Sequence, residues 1–277
     1  MMTVSPSILI PSKSAHLPSA MLSHRGRVRE NNEDRLMLRS FRNQAGAQPV
    51  LLAVLADGVG GHHGGEVAAE LGVQAITEVI ASCSTLDDPP ALIHSAIQAA
   101  NRSIQAHTAA EPDVFGMGAT CVCVLLIGER LYLGNLGDSR AYLFSQNGLT
   151  QLTHDHTMLE ETSWSDLPGM RGSRRGNPFA HVLSRYLGSP DPPDVDLRVR
   201  LHAGESDQDM LKNQGMRLQS GEKVLLCSDG LSDMLSDKHI LSILQGYRTQ
   251  KALQKLVLCA LENGGHDNVS AILIEIP

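Results

Sequence analysis

Apolar and polar residues along this chain follow two different periods. Residues 50–56 are almost wholly apolar, as expected of a strand covered on both faces. A helical stripe follows from about Gly65, with Val67, Leu71, Ile76 and Ile80 apolar and polar residues between them. After a loop over 82–90, a second helix is expected over 91–109. From Met117 the period shortens: 119–127, 130–135 and 140–144 read as strands parted by Gly128-Glu129, Gly137-Asp138-Ser139 and Gln146-Asn147-Gly148, the spacing of an antiparallel meander. Strand patterns also occupy 21–24 and 35–41, ahead of the first apolar run. Another apolar strand covers 222–228, helices are expected over 237–245 and 250–263, and a last strand over 269–276. Two helices ahead of several consecutive strands argue for α+β layering. Residues 153–196 are the least regular, and loops of that length are usually functional or mobile. A polar insert over 205–214 has no role in the pattern.

With 277 residues, the chain can bury a substantial core without staples. The first twenty residues are Ser/Pro-rich, and their Ile8-Leu9-Ile10 patch is too short for a signal peptide. They read as a flexible leader, which leaves 21–277 as a single folded domain. The net charge of -7 argues against a nucleic-acid binder, whose footprint would be basic. No run approaches the roughly 18 apolar residues that a bilayer span needs. The five cysteines, Cys83, Cys121, Cys123, Cys227 and Cys259, lack zinc-site spacing and read as buried thiols in a reducing compartment. Cys121 and Cys123 share one strand face, where core packing is their expected role. A cytoplasmic protein is expected.

The candidate chemistry centres on Asp57-Gly58-Val59-Gly60-Gly61-His62-His63-Gly64-Gly65-Glu66, where the first apolar strand passes into a helix. Asp57 can offer a carboxylate, and Gly58 an unobstructed carbonyl, to a hard cation. Taken alone, the stretch is equally well a glycine-rich turn with an incidental acid. Asp229 and Asp267 likewise sit where apolar strands end or begin, and Asp138 occupies a turn between strands. Antiparallel strands can bring such ends together. Converging carboxylates repel one another unless divalent ions join them, and acids without a His triad favour Mg²⁺ or Mn²⁺ over Zn²⁺. Two such ions about 3.5–4 Å apart can activate a water for displacement at phosphorus. Arg29, just ahead of Glu33 and Asp34, could offer a guanidinium fork to phosphate oxygens.

Six segments together resemble the ordered motifs of the metal-dependent protein phosphatase family, protein phosphatase 2C, in its bacterial form. They are Arg29 with Asn32-Glu33-Asp34; Asp57-Gly58-Val59-Gly60-Gly61-His62; Gly118-Ala119-Thr120; Gly137-Asp138-Ser139-Arg140; Ser228-Asp229-Gly230-Leu231-Ser232-Asp233; and His266-Asp267-Asn268-Val269-Ser270. The resemblance implies a central sandwich of two antiparallel β-sheets flanked on both sides by α-helices. It also implies hydrolysis of phosphoserine and phosphothreonine in proteins, reversing a bacterial-type Ser/Thr kinase; a monomer is expected. By motif position, Asp57 bridges two Mn²⁺ or Mg²⁺ ions, the Gly58 carbonyl ligates one, and Asp229 and Asp267 complete the other. Asp138 with Asp229 matches a third-metal position, which Asp233 assists. Glu33 and Asp34 act through bound waters, Arg29 holds the phosphate, and His62 is the candidate general acid. His63 reads as an exposed neighbour. His154 and His156 look like a zinc pair, yet the family has an Asp-His pair here, ahead of its flap.

The flap-like segment covers about 153–197. Residues 164–178 are Gly/Arg-rich where the family pattern is amphipathic, a departure that bears on substrate docking, and 182–188 resembles the expected sequence. Arg171, Arg174 and Arg175 would steer acidic phosphopeptides or face solvent. The rival readings are a phosphoprotein binder without turnover and a structural Ca²⁺-binding domain.

Overall fold

The computed structural model describes residues 7–44, 48–59, 64–161, 177 and 179–277. Strands β1 (Leu9–Pro11), β2 (Ser19–His24), β3 (Arg35–Asn43), β4 (Pro49–Ala56) and β5 (Gly58–Val59) precede helices α1 (Gly65–Ala81) and α2 (Pro89–Ala110). Next come β6 (Gly118–Ala119), β7 (Cys121–Ile127), β8 (Arg130–Leu136), β9 (Arg140–Ser145) and β10 (Gly148–Gln151). The short α3 (Met158–Glu161) and α4 (Asp207–Lys212) lead to β11 (Met216–Arg217) and β12 (Lys223–Cys227). The chain ends with α5 (Asp229–Ser232), α6 (Asp237–Gly246), α7 (Thr249–Glu262) and β13 (Val269–Glu275).

One sheet has the order β1-β3-β4-β7-β8-β11 and the other β10-β9-β12-β13-β2, with antiparallel pairing throughout. Alternation within the central strands makes four layers of them. In β4, Val50, Leu52, Val54 and Ala56 pack with Ile76, Ile93 and Ile97 of α1 and α2. Leu51, Ala53 and Leu55 pack with Val224, Leu226, Ile272 and Ile274 of the other sheet. The outer faces of β12 and β13, through Leu225, Cys227, Ala271 and Leu273, cover Ile240, Leu244, Leu253 and Leu256 of α6 and α7. Each of these Val, Leu and Ile side chains contributes about 1.5–3 kcal/mol by burial, and a one-residue slip would exchange the faces. The architecture is therefore α+β, helix-sheet-sheet-helix. No helix among the described residues is long and apolar enough to cross a membrane.

Local signals account for the element ends. Asp88 caps α2 by accepting from the Ala91 N–H at 3.1 Å, with Pro89 at the first helical position. In α1 the buried face runs through Ala68, Ala69, Gly72, Val73, Ile76 and Ile80, while Val67 and Leu71 are half-buried. Four of the cysteines are buried free thiols, Cys121 and Cys123 sharing the helix-side face as expected; Cys259 is only half-buried.

Three expectations need correction. The leader reading fails from Ser7 onward: Leu9–Pro11 pairs with β3, Leu9 is buried, and the Ile8 N–H donates to the Cys83 carbonyl at 3.0 Å. Three residues are too few to display a period, but they suffice to extend an existing sheet edge. The meander reading fails at Gly137-Asp138-Ser139, since β8 lies in one sheet and β9 in the other, and the hairpins are β7–β8 and β9–β10. Gly137, at φ 98°, makes this corner in a conformation open to glycine. The polar insert finds a structural role. The Gln214 amide accepts from the Leu133 N–H at 3.0 Å and donates to the Leu133 carbonyl at 2.6 Å, standing in for a neighbouring strand along β8 just beyond the short β11.

Candidate metal centre

The corner at Gly137, the ends of β4 and β12 and the start of β13 all meet at one end of the sandwich. They enclose a cavity of about 530 Å³ lined by Asp57, Gly58, Asp138, Asp229 and Asp267, together with Arg29, Glu33 and His181. Strand ends held by continuous ladders place each acid rigidly. Asp57 is held twice over: its N–H donates to Thr120 Oγ1 at 3.0 Å and its carbonyl accepts from the Thr120 N–H at 2.8 Å. Ser139 meets the same Thr120 hydroxyl at 2.7 Å, which ties Asp57 to the Asp138 turn. Gly58 lies so close to the Gly65 carbonyl and to the Glu33 carbonyl that no Cβ would fit.

Asn268 organises the opposite wall. Its Oδ1 accepts from the Glu33 N–H at 2.7 Å, and its Nδ2 donates to the carbonyls of Arg25 and Asn31 at 3.0 and 2.8 Å. The loop bearing Arg29 is thereby fastened to β13. Arg29 Nη2 pairs with Asp267 Oδ2 at 2.7 Å and is 56% exposed, so one face of its guanidinium is in the site and another in solvent. Asp34 is buried behind the cavity wall, where Ser228 Oγ donates to its Oδ2 at 3.0 Å. Its Oδ1 has no hydrogen-bond partner among the described residues.

The electrostatics follow from this crowding. Burial first, then the charges of Asp34, Asp229, Asp138 and Asp267, push the Asp57 carboxyl well above its ordinary range. Burial, against hydrogen bonds from Ser270 and Ser228 and with the charges of Asp229 and Asp267, pushes Asp34 up to about 7. Asp267 is raised by burial and by Asp229, with Arg29 opposing, and Glu33 by burial and Glu66. A site of oxygen donors whose negative charges oppose their own ionisation is one that divalent cations would stabilise. The orphaned Asp34 Oδ1 and the carboxylates of Asp57, Asp229 and Asp267 fit hard ions such as Mg²⁺ or Mn²⁺.

Sequence reasoning missed His181. Its Nδ1 lies 3.6 Å from Asp229 Oδ2 and 3.5 Å from Asp233 Oδ2. Asp138, His181 and Asp229 offer donor atoms all within 4.8 Å of one another, an arrangement able to hold an ion. His181 belongs to an irregular segment with no local signal, and only the fold brings it here. Asp233 does not line the cavity but sits beside it, through His181. His62 and His63 lie outside the described residues, as do Arg171, Arg174 and Arg175.

The zinc look of His154 and His156 dissolves in the structure. His156 is fully buried, its Nδ1 accepting from the Gly137 N–H at 3.1 Å, so the protonated Nε2 faces Asp196 Oδ2 at 3.2 Å. Burial works to raise the Asp196 pKa, yet hydrogen bonds from His156 and Arg198 hold it well below the usual carboxylate range. His156 is thus a structural clamp on the corner that carries Asp138.

The family model of protein phosphatase 2C matches residues 23–273. The serine/threonine protein phosphatase PstP of Mycobacterium tuberculosis is 36% identical over 263 residues, 93% of this chain. The chain spans only 44% of that relative's length. The serine/threonine phosphatase stp of Listeria monocytogenes is 30% identical over 255 residues, 91% of this chain and 92% of stp. Among solved structures, the S. agalactiae serine/threonine phosphatase superposes with a TM-score of 0.79 at 27% identity, covering 95% of this chain and 100% of that one. The catalytic domain of PstP in complex with two manganese ions gives 0.72 at 34% identity, covering 94% and 99%. A family match running through every segment that lines the cavity, with relatives aligned over nine-tenths of the sequence, means that this chain belongs to the protein phosphatase 2C family.

Proposed function

We propose that this chain removes phosphate from phosphoserine and phosphothreonine in proteins, in a metal-dependent hydrolysis that opposes a Ser/Thr protein kinase, as a cytoplasmic monomer. The observation that carries this reading is the convergence of Asp57, Asp138, Asp229 and Asp267 on one cavity with Arg29 at its mouth. Asp57, Asp229, Asp267 and the Gly58 carbonyl would hold two Mn²⁺ or Mg²⁺ ions, and Asp138, His181 and Asp229 a third, with Asp233 beside them. Divalent ions held there would offset phosphate charge and lower the pKa of a water, so that it gives up a proton more readily and becomes a better nucleophile toward phosphorus.

The chain's own residues do the rest. Arg29 binds the phosphate oxygens, and its pairing with Asp267 holds the guanidinium beside the cavity. Glu33 and Asp34 accept hydrogen bonds from waters of the site, Asp34 from beneath. As the bond from phosphorus to the serine or threonine oxygen breaks, His62 returns a proton to that oxygen. The test is phosphate release from a phosphothreonine peptide with Mn²⁺, with Mg²⁺ and with chelator. Release that requires the ion is expected. Peptide retention without release under every condition would replace the enzyme with a binding module.

A further inference from the structure

Beyond the corner that carries Asp138 lies a second cavity of about 490 Å³. Its wall holds four arginines, Arg140, Arg185, Arg198 and Arg200, against two acids, Asp155 and Glu160. Two of the arginines are fully engaged and make the wall rigid. Arg140 forks onto Asp155 and reaches the Tyr142 hydroxyl at 2.9 Å, while Arg198 holds Asp196 and Asp207. Arg200 differs: its Nε donates to the Gln151 carbonyl at 3.1 Å, and its terminal nitrogens have no partner among the described residues. Arg185 is paired with Asp194, which is itself 84% exposed. His154 also lines the bowl, and its buried Nδ1 has no hydrogen-bond partner among the described residues. Burial, then the positive charges of Arg198 and Arg200, hold the His154 pKa below its ordinary value. The terminal nitrogens of Arg200 are thus open guanidinium donors in a bowl whose other arginines are held in place by their acids, an arrangement that suits an oxyanion the size of phosphate.

The two cavities are neighbours. Asp138 lines the first and Arg140 the second; Leu183 lines the first and Arg185 the second. Two residues of chain span at most about 7 Å. His156 adds a direct tie, for it lines the second cavity and clamps both main-chain groups of Gly137, donating to its carbonyl at 3.0 Å and accepting from its N–H at 3.1 Å.

The geometry points to a second anion subsite: this bowl receives another phosphoryl group of the same phosphoprotein substrate, about three to five residues from the one being hydrolysed. An extended peptide advances roughly 3.3 Å per residue, so three to five residues cover about 10–17 Å, enough to reach from one cavity into its neighbour. The assignment rests on the phosphatase reading above.

The test compares two peptides on the manganese-loaded full chain. One carries a single phosphothreonine; the other carries in addition a non-hydrolysable phosphonate four residues away. KM for the second should be about tenfold lower, the effect of one or two charge-assisted hydrogen bonds. Arg200→Gln should erase that preference and leave the first peptide's KM and kcat unchanged, Arg200→Lys should keep part of it, and His154→Ala serves as an independent variant. Equal KM values in the wild type, or a preference that survives both Arg200→Gln and His154→Ala, overturns the subsite. Inorganic phosphate that binds in an Arg200-dependent way, with no preference between the peptides, makes the bowl a site for free phosphate and also overturns it. If neither peptide is hydrolysed, the phosphatase reading falls, and the subsite is then judged by whether calorimetry finds tighter binding of the second peptide.

Discussion

Replacing Asp34 by asparagine should make the metal-free protein more stable at neutral pH, although it removes a charged group from the functional site. Asp34 is buried, its Oδ2 accepts from Ser228 at 3.0 Å, and its pKa is pushed from 3.8 up to about 7. Below pH 3.8 both the folded and unfolded states carry the proton, and pH has no effect through this group. Between 3.8 and about 7 the folded state keeps a proton that the unfolded state has lost, so stability falls as pH rises. Above about 7 the full cost is present. At ~1.4 kcal/mol per pH unit that cost approaches about 4 kcal/mol, a ceiling because Asp57 shares the same field. An asparagine at this position could still accept from Ser228 and carries no charge. Thermal unfolding in chelator should therefore show Asp34→Asn above wild type by several degrees at pH 8, at roughly 2–4 °C per kcal/mol, and close to wild type at pH 4. Excess Mn²⁺ should narrow the gap at pH 8 by stabilising the wild type more. A variant less stable than wild type at both pH values, or a gap independent of pH, would refute the view that crowded carboxylates oppose folding until cations join them.

Arg29→Ala should raise KM about tenfold with kcat nearly kept, since phosphate is held alike in ground and transition states; steady-state kinetics on a phosphopeptide decide, and an unchanged KM removes Arg29 from substrate binding. His62→Ala should slow phosphopeptide hydrolysis far more than that of an activated aryl phosphate, whose leaving group needs little protonation, and equal losses would retire the general-acid role. Asp196→Asn breaks the buried clamp on the Asp138 corner and should cost about 3 kcal/mol in denaturant titration at pH 7. Because its pKa is depressed in the folded state, that difference should be present above pH 3.8 and shrink as the pH falls below it.

Much of this protein was legible in its residue order. The apolar runs at 50–56 and 222–228 became β4 and β12, buried on both faces, because a strand sandwiched between layers has no polar side to show. Asp57, Asp229 and Asp267 stood out because an acid flanking such a run, beside glycine or an amide, must lie at a sheet end. Other features depended on contacts between distant segments. β1 is three residues whose partner lies some thirty positions away, and the corner at Gly137 reads locally as a hairpin turn while passing between two sheets. His181 joins Asp138 and Asp229 from a stretch with no period, and Arg200 and His154 share a bowl for the same reason. Residue order determined which side chains are buried and which chemistry is available, because burial and periodicity act between near neighbours along the chain. Tertiary structure alone decided which donors share a cavity, because that depends on sheet order and loop closure over tens to hundreds of residues.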